Sequence, residues 1–424
     1  MKRNPRGNSA FLLLPSAFLF LLVIVAYTPV WQAGFIWDDD TILTGNPCII
    51  GPLGLKEIWT TSTADICPLT ITTFWLEHAL WGLAPLPYHF VNVLLHGTCA
   101  ILLWRVLRSL NVPGAWLGAA FWAVHPVQVE SVAWITEMKN TESGLFFLLS
   151  ILFFVKWLRG AEIKNGRTRG EWNYAFCLLF TAVAMASKSS TVVLPVVLCF
   201  CAWWIQGRWH WRNLVRVIPV FLISIAASAA SIWTQGLQLA AATDSQWVRI
   251  WPQRLAAAGD AFWFYLGKLL WPQPLVAIYP RWQIDAGQWI SYVPLAALVL
   301  FISSLWLVRS RLWARTCLFA FAYFLVALLP VLGLIDNYVF SYSLVFDHFQ
   351  YLASMGPLAL AGAGLTRAWD FLLSGPIRGR NLSCEIPAPT PTCPTKPWRS
   401  RTPRYVFTAF GDRLSALVCS LFLE

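Results

Sequence analysis

The sequence predicts an all-α, polytopic membrane protein with about ten to twelve transmembrane helices and a helical first extracytoplasmic loop. Three observations carry that reading. Charged residues make up 12% of the 424 residues and hydrophobic ones 58%, against about 25% charged in a soluble domain. Apolar stretches close to the ~20 residues needed to span a bilayer recur along the chain. Basic residues are confined to short clusters between those stretches, where Lys and Arg set membrane orientation. The net charge of +11 therefore belongs to topology and implies no nucleic-acid partner. The 26 tryptophans suit the aromatic belts of the two membrane interfaces.

Taken in order, the first apolar stretch, 11–33, follows Lys2, Arg3 and Arg6. It is too long for the apolar core of a signal peptide and reads as a retained anchor. Further spans are expected at 88–108, 114–134, 142–158, 173–187, 189–206, 214–234, 288–308, 314–335 and 350–373. Arg105 and Arg108, the cluster from Lys156 to Arg169, Arg208 to Arg216 and Arg309 to Arg315 lie between them. The positive-inside rule makes these loops cytoplasmic, 160–171 among them, and the stretch 38–85 extracytoplasmic. The aromatic stretch 255–271 breaks the parity of this count. It is expected to lie in the interface, to re-enter, or to correct the count by one. In the loop 34–87, Ile58, Trp59, Leu69, Phe74, Trp75, Leu80 and Trp81 recur at helical spacing, which predicts one or two amphipathic helices at the membrane surface. Residues 1–375 read as the membrane domain. Residues 376–424 read as a tail whose prolines, six between Pro387 and Pro403, exclude helix from its first part. Five of the ten cysteines sit in apolar segments as small hydrophobes, and none forms a metal-binding CxxC. Cys48 and Cys67 share the first loop and are close enough in sequence to pair in an oxidising compartment.

Four motifs bear on chemistry. The chain carries no charge from Phe11 to Trp37 and then reads Asp38-Asp39-Asp40. Acids crowded at a membrane boundary raise one another's pKa, which suits a general base. Asp38 is the candidate base, with Asp39 as neighbour and second choice. Asp38 and Asp40 are also spaced to share a divalent cation, the single cofactor the sequence suggests. The plain alternative is a solvated, helix-capping loop. His125 and Glu130 are polar residues inside an apolar span, and such residues face a cavity or form a buried structural pair. Glu137, Lys139 and Asn140 follow. Lys188 is a lone cation in an extracytoplasmic turn, placed either to hold a phosphate or to snorkel. Asp347, His348 and Tyr351 open the last span as a substrate-facing rim or an interface anchor.

Phe35-Ile36-Trp37-Asp38-Asp39 followed by Asn46-Pro47 resembles the opening of the transmembrane and tetratricopeptide-repeat O-mannosyltransferase-like proteins and their bacterial relatives. These belong to the GT-C class of glycosyltransferases. Pro68 to Leu83 and Tyr88 to His96 resemble the next block of that family, and His125 to Ile135 a further one. Ser187-Lys188 and Asp347 to Tyr351 match weaker, later blocks. The resemblance covers about residues 11–373. It implies a GT-C-like bundle and sugar transfer from a polyprenyl-phosphate donor to a protein or glycan hydroxyl. The site would face the periplasm from a bacterial inner membrane. Asp38 and Asp39 would carry the acidic pair and Lys188 the donor phosphate, with His125, Glu130, Lys139 and His348 as further donor- or substrate-binding positions. Cys67 and His348 stand where relatives commonly have Arg, and no tetratricopeptide repeat is visible in these 424 residues. Those departures keep open a second reading, a non-catalytic membrane scaffold or transporter.

Overall fold

The structure is a computed structural model that describes residues 7–61, 67–162, 167–241, 249–335 and 338–374. The Pro-rich stretch 376–424 lies outside the described residues. The regular secondary structure among the described residues is all helical, with no strand among them. Among the described residues, those up to Ala363 belong to one compact unit and those from Gly364 onward to a second.

Helix α1 (Gly7–Ala26) gives way at Pro29, which has no N–H to donate, to a short 3-10 turn, Thr28–Gln32. The acidic motif follows. The first loop then forms α2 (Leu55–Thr60) and α3 (Pro68–Trp81), matching the helical spacing of its apolar residues. Helix α3 buries Ile71 and Phe74 and exposes Leu76 and Leu80 on its other side. Then come α4 (Pro85–Ser109), α5 (Ala115–Val124), α6 (Val129–Ala133), α7 (Met138–Glu162) and α8 (Arg167–Ser187). The rest of the bundle is α9 (Leu194–Gln206), α10 (Trp211–Ala241), α11 (Trp251–Leu270), α12 (Val293–Leu307), α13 (Leu312–Leu328) and α14 (Met355–Ser374).

Six helices among the described residues are long and apolar enough to cross a membrane: Pro85–Ser109, Ile135–Gly160, Ser189–Gln206, Trp211–Thr234, Trp289–Leu307 and Leu312–Val331. The stretch 255–271 falls within α11 up to Leu270, with Trp271 as its non-helical cap, and the small face of that helix, Ala256, Ala257, Ala258 and Ala261, is buried. Helices meet where small residues let backbones approach. A Cβ on Gly259 would come within 2.5 Å of Leu295 N, one on Gly97 within 2.7 Å of the Phe20 ring, and one on Gly362 would overlap the Gly118 backbone. Ser150 links α7 to Thr181 of α8 at 2.9 Å.

Three expectations are corrected. The stretch 114–134 is not one span: α5 stops at Val124, a 3-10 turn covers Pro126–Gln128, and α6 is a separate five-residue helix. Proline disfavours helical backbone in the residue before it, and His125 is extended at φ −67, ψ 133. The last helix begins at Met355 rather than 350, after a 3-10 turn over Asp347–Gln350. Cys48 and Cys67 are buried free thiols.

Candidate functional site

The acidic motif sits on a tight, irregular turn. Trp37 has φ +42, a left-handed value costly for a bulky residue. Its ring is held in compensation, stacked on Trp134 at 5.3 Å and edge-on to Tyr342 at 5.5 Å. Asp40–Thr44 forms a single π-helical turn, a rare element often found at functional sites. Asn46 closes the loop: its amide donates to Ile42 O at 3.1 Å and its Oδ1 accepts the Cys48 N–H at 2.9 Å.

The three aspartates are not equivalent. Asp39 is fully buried. Its Oδ2 accepts the Ile36 N–H at 2.8 Å and its Oδ1 the Thr136 N–H at 2.9 Å. Burial raises its pKa, while these N–H bonds pull it down. Asp39 thus clips the acidic turn to the segment before α7. Asp38 is half-buried beside it, and its carbonyl accepts the Thr41 and Ile42 N–H groups. Asp40 is exposed and its Oδ1 accepts the Thr44 hydroxyl at 3.4 Å. Among the described residues no group of three His, Cys, Asp or Glu side chains is placed to hold a metal.

The irregular segment from His125 to Glu137 is the other half of the site. Asn92 brackets it from α4: its amide lies 2.9 Å from Val132 O, 3.2 Å from Ser131 O and 3.3 Å from Trp134 O. The Asn92 Oδ1 accepts the Thr141 hydroxyl at 2.5 Å. These bonds satisfy carbonyls that the broken helix leaves unpaired.

Glu137, at the end of this segment, is the hub. It is buried, and Lys139 Nζ lies 2.8 Å from its Oε1. Lys188 Nζ lies 3.7 Å from its Oε2, and His348 Nε2 lies 3.8 Å from its Oε1. The Asn140 amide donates to Oε2 at 2.5 Å, and Asn140 Oδ1 accepts from Lys188 Nζ at 2.5 Å. Lys188 reaches the hub because α8 stops at Ser187 and Lys188 itself is extended, at φ −155 and ψ 125. Burial lowers the Lys188 pKa, and the Glu137 carboxylate opposes that.

Glu130 forms the far side. Its Oε2 accepts the His348 backbone N–H at 2.8 Å and its Oε1 pairs with His348 Nδ1 at 2.9 Å. Asp347 is buried next to this pair and accepts the Tyr279 hydroxyl at 3.0 Å. Burial first, then the Glu130 charge, pushes its pKa up to about 7. A carboxyl poised there is suited to proton transfer.

Of the residues expected at the site, Asp39, Glu130, Lys139, Lys188 and His348 are joined through the Thr136–Glu137 turn, with Asp38 beside Asp39. His125 is elsewhere. Its Nε2 donates to Leu269 O at 3.1 Å and its Nδ1 accepts the Val127 N–H at 3.4 Å, so it ties the broken helix to the end of α11. The sequence reading gives Asn92 and Tyr279 no site role, and names Glu137 and Asp347 without assigning either a specific part. For Glu137 a signal was present, an acid two residues before a lysine at the start of an apolar span. An apolar cavity of about 70 Å³ between α4, α7, α9 and α13, lined by Leu107, Leu148, Val197, Trp204 and Phe319, carries no charged side chain and is separate from this cluster.

No family model matches the chain. It is similar to the fruit-fly Drosophila melanogaster protein O-mannosyl-transferase Tmtc1, 27% identical over 42% of the chain and 21% of the relative. The mouse TMTC2 protein O-mannosyl-transferase is 32% identical over 32% of the chain and 18% of the relative. The human TMTC4 protein O-mannosyl-transferase is 26% identical over 41% of the chain and 27% of the relative. The matched stretch thus spans about a fifth to a quarter of the length of these curated relatives.

Proposed function

We propose that this protein is a GT-C membrane glycosyltransferase. It moves a sugar from a polyprenyl-phosphate donor to a hydroxyl of a protein or glycan acceptor, at the periplasmic face of a bacterial inner membrane. The names of its relatives point to mannose as the sugar. The observation that carries the reading is the bond from the Thr136 N–H to Asp39, which joins the acidic turn to the segment bearing Glu137, Lys139 and the Lys188 contact.

A lipid-linked donor cannot leave the bilayer, so its phosphate must be met at the membrane boundary. The acceptor oxygen attacks the anomeric carbon. The bond from that carbon to the phosphate oxygen breaks, and its electron pair stays on the lipid phosphate. The acceptor proton goes to Asp38, which is half-buried beside Asp39 after the first helical segment. Lys188 stabilises the phosphate charge as it develops. Asp39 holds the turn.

The test is transfer of labelled mannose from a polyprenyl phosphomannose to a peptide acceptor by the purified chain. Asp38→Asn should cost a factor of about 10²–10⁴ in kcat, as loss of a general base does. Transfer at the wild-type rate by Asp38→Asn would remove the base assignment. No transfer by the unmutated protein with any such donor would favour the scaffold or transporter reading.

A further inference from the structure

We propose that Glu137 is the positioning residue of a phosphodiester site: one buried carboxylate that gathers the ammonium groups of Lys139 and Lys188 and the Nε2 edge of His348 around a single point, where the lipid-linked phosphate docks. The inference rests on the transferase reading and adds the residue that builds its donor site.

Three elements supply the three groups. Lys139 comes from the first turn of α7, Lys188 from the break after α8, and His348 from the 3-10 turn before α14. They share no local sequence, yet each lies 2.8 to 3.8 Å from Glu137. A lysine taken out of water needs a counter-ion, and Glu137 lies within 4 Å of both lysines. Its distance to Lys188, 3.7 Å, is too long for a hydrogen bond. The ammonium spends one donor on Asn140 Oδ1 at 2.5 Å, and an ammonium has three donors. His348 is held for the same purpose by a two-point bond to Glu130, which turns its Nε2 toward the hub.

The groups facing Lys188 are Glu137, Lys139, Cys67 and Glu130. Glu137 is the one among them that both touches the site and favours the ammonium most. Removing its charge should let Lys188 lose its proton at a lower pH and release the phosphate with it. A part that was merely structural would weaken binding equally at every pH.

The experiment measures binding of a short polyprenyl phosphomannose, a phosphodiester whose charge does not change in this range, to the full chain in detergent, wild type against Glu137→Gln and Glu137→Asp, between about pH 6 and pH 9. Inorganic phosphate and phosphatidylglycerol serve as competitors. Glu137→Gln should bind about tenfold or more weakly at neutral pH. The loss should shrink toward pH 6, and Glu137→Asp should recover much of the affinity. Equal or tighter binding by Glu137→Gln, or a loss independent of pH, overturns the proposal. So does displacement by inorganic phosphate or phosphatidylglycerol at equal concentration, which would mean the site does not read a prenyl phosphate. Should Glu137→Gln not fold, Lys139→Gln tests the same cluster and is expected to weaken binding without the pH trend. Unchanged binding by Lys139→Gln would overturn the shared site. Wild-type binding without any mannose transfer would leave the site standing and remove the transferase reading instead.

Discussion

Glu77 makes a strong demand on the stability of the first loop. It lies on α3 in the first loop, is 3% exposed, and neither carboxylate oxygen has a hydrogen-bond partner. Burial, then the nearby charge of Glu142, holds its pKa at about 8 against an ordinary 4.5. The folded state therefore binds this proton more tightly than the unfolded chain does. Its contribution to stability is complete below about 4.5 and is lost as the pH rises through about 8. At 1.36 kcal/mol per pH unit of pKa change, ionising Glu77 in place costs about 5 kcal/mol well above pH 8, and about 2 kcal/mol is already forfeited at pH 6. The difference between pH 6 and pH 9 is thus about 3 kcal/mol. Glu77→Gln keeps the shape and cannot ionise. The wild type should lose several degrees of melting temperature between pH 6 and pH 9, on the order of 1–3 °C per kcal/mol, relative to Glu77→Gln. Thermal unfolding in detergent followed by intrinsic tryptophan fluorescence reads this directly. Parallel pH curves for the two proteins, or a Glu77→Gln variant less stable at pH 9, would refute the reasoning.

Three further outcomes follow from the same geometry. Asp39→Asn should lower stability by about 1.5–3 kcal/mol, because a charged acceptor of two backbone N–H bonds is replaced by an amide that can serve one of them. A melting curve reads this loss. Asn92→Ala should cost about 2 kcal/mol or more by stranding the carbonyls of the 131–134 segment; limited proteolysis within that segment should speed up, and an unchanged cleavage rate would count against the bracket. His125→Phe should leave donor KM near the wild-type value, since His125 faces Leu269 rather than the hub; a several-fold rise in KM would return it to the site.

Much of the fold could be read from local sequence. Hydropathy marks the spans because each helix must satisfy its own backbone in lipid. The helical spacing of Phe74 and Trp81 marks α3, and the break at Pro126 is a consequence of proline's missing N–H and its hold on His125, although the apolar run across it reads as one continuous span. The triple aspartate also stands out locally, since three acids directly after 27 uncharged residues are conspicuous wherever the chain folds. Their division of labour is not local. Asp39 is buried and bonded because Thr136 of a distant segment comes to it, and nothing around positions 38–40 distinguishes it from its neighbours.

Composition, hydropathy and the basic loops by themselves settled that this is an all-helical membrane protein with an acidic turn after its first helix. Each of those properties is written in the order of neighbouring residues. Only the tertiary structure decided that Lys139, Lys188, His348 and Asn140 meet at Glu137, and that His125 does not join them. In the sequence Glu137 is an ordinary acid in the turn leading into α7, where the helix dipole welcomes one. Its role arises because close helix packing brings residues up to 211 positions away within 4 Å, and hydrophobic periodicity encodes which face of a helix is buried without encoding which distant residue that face will meet.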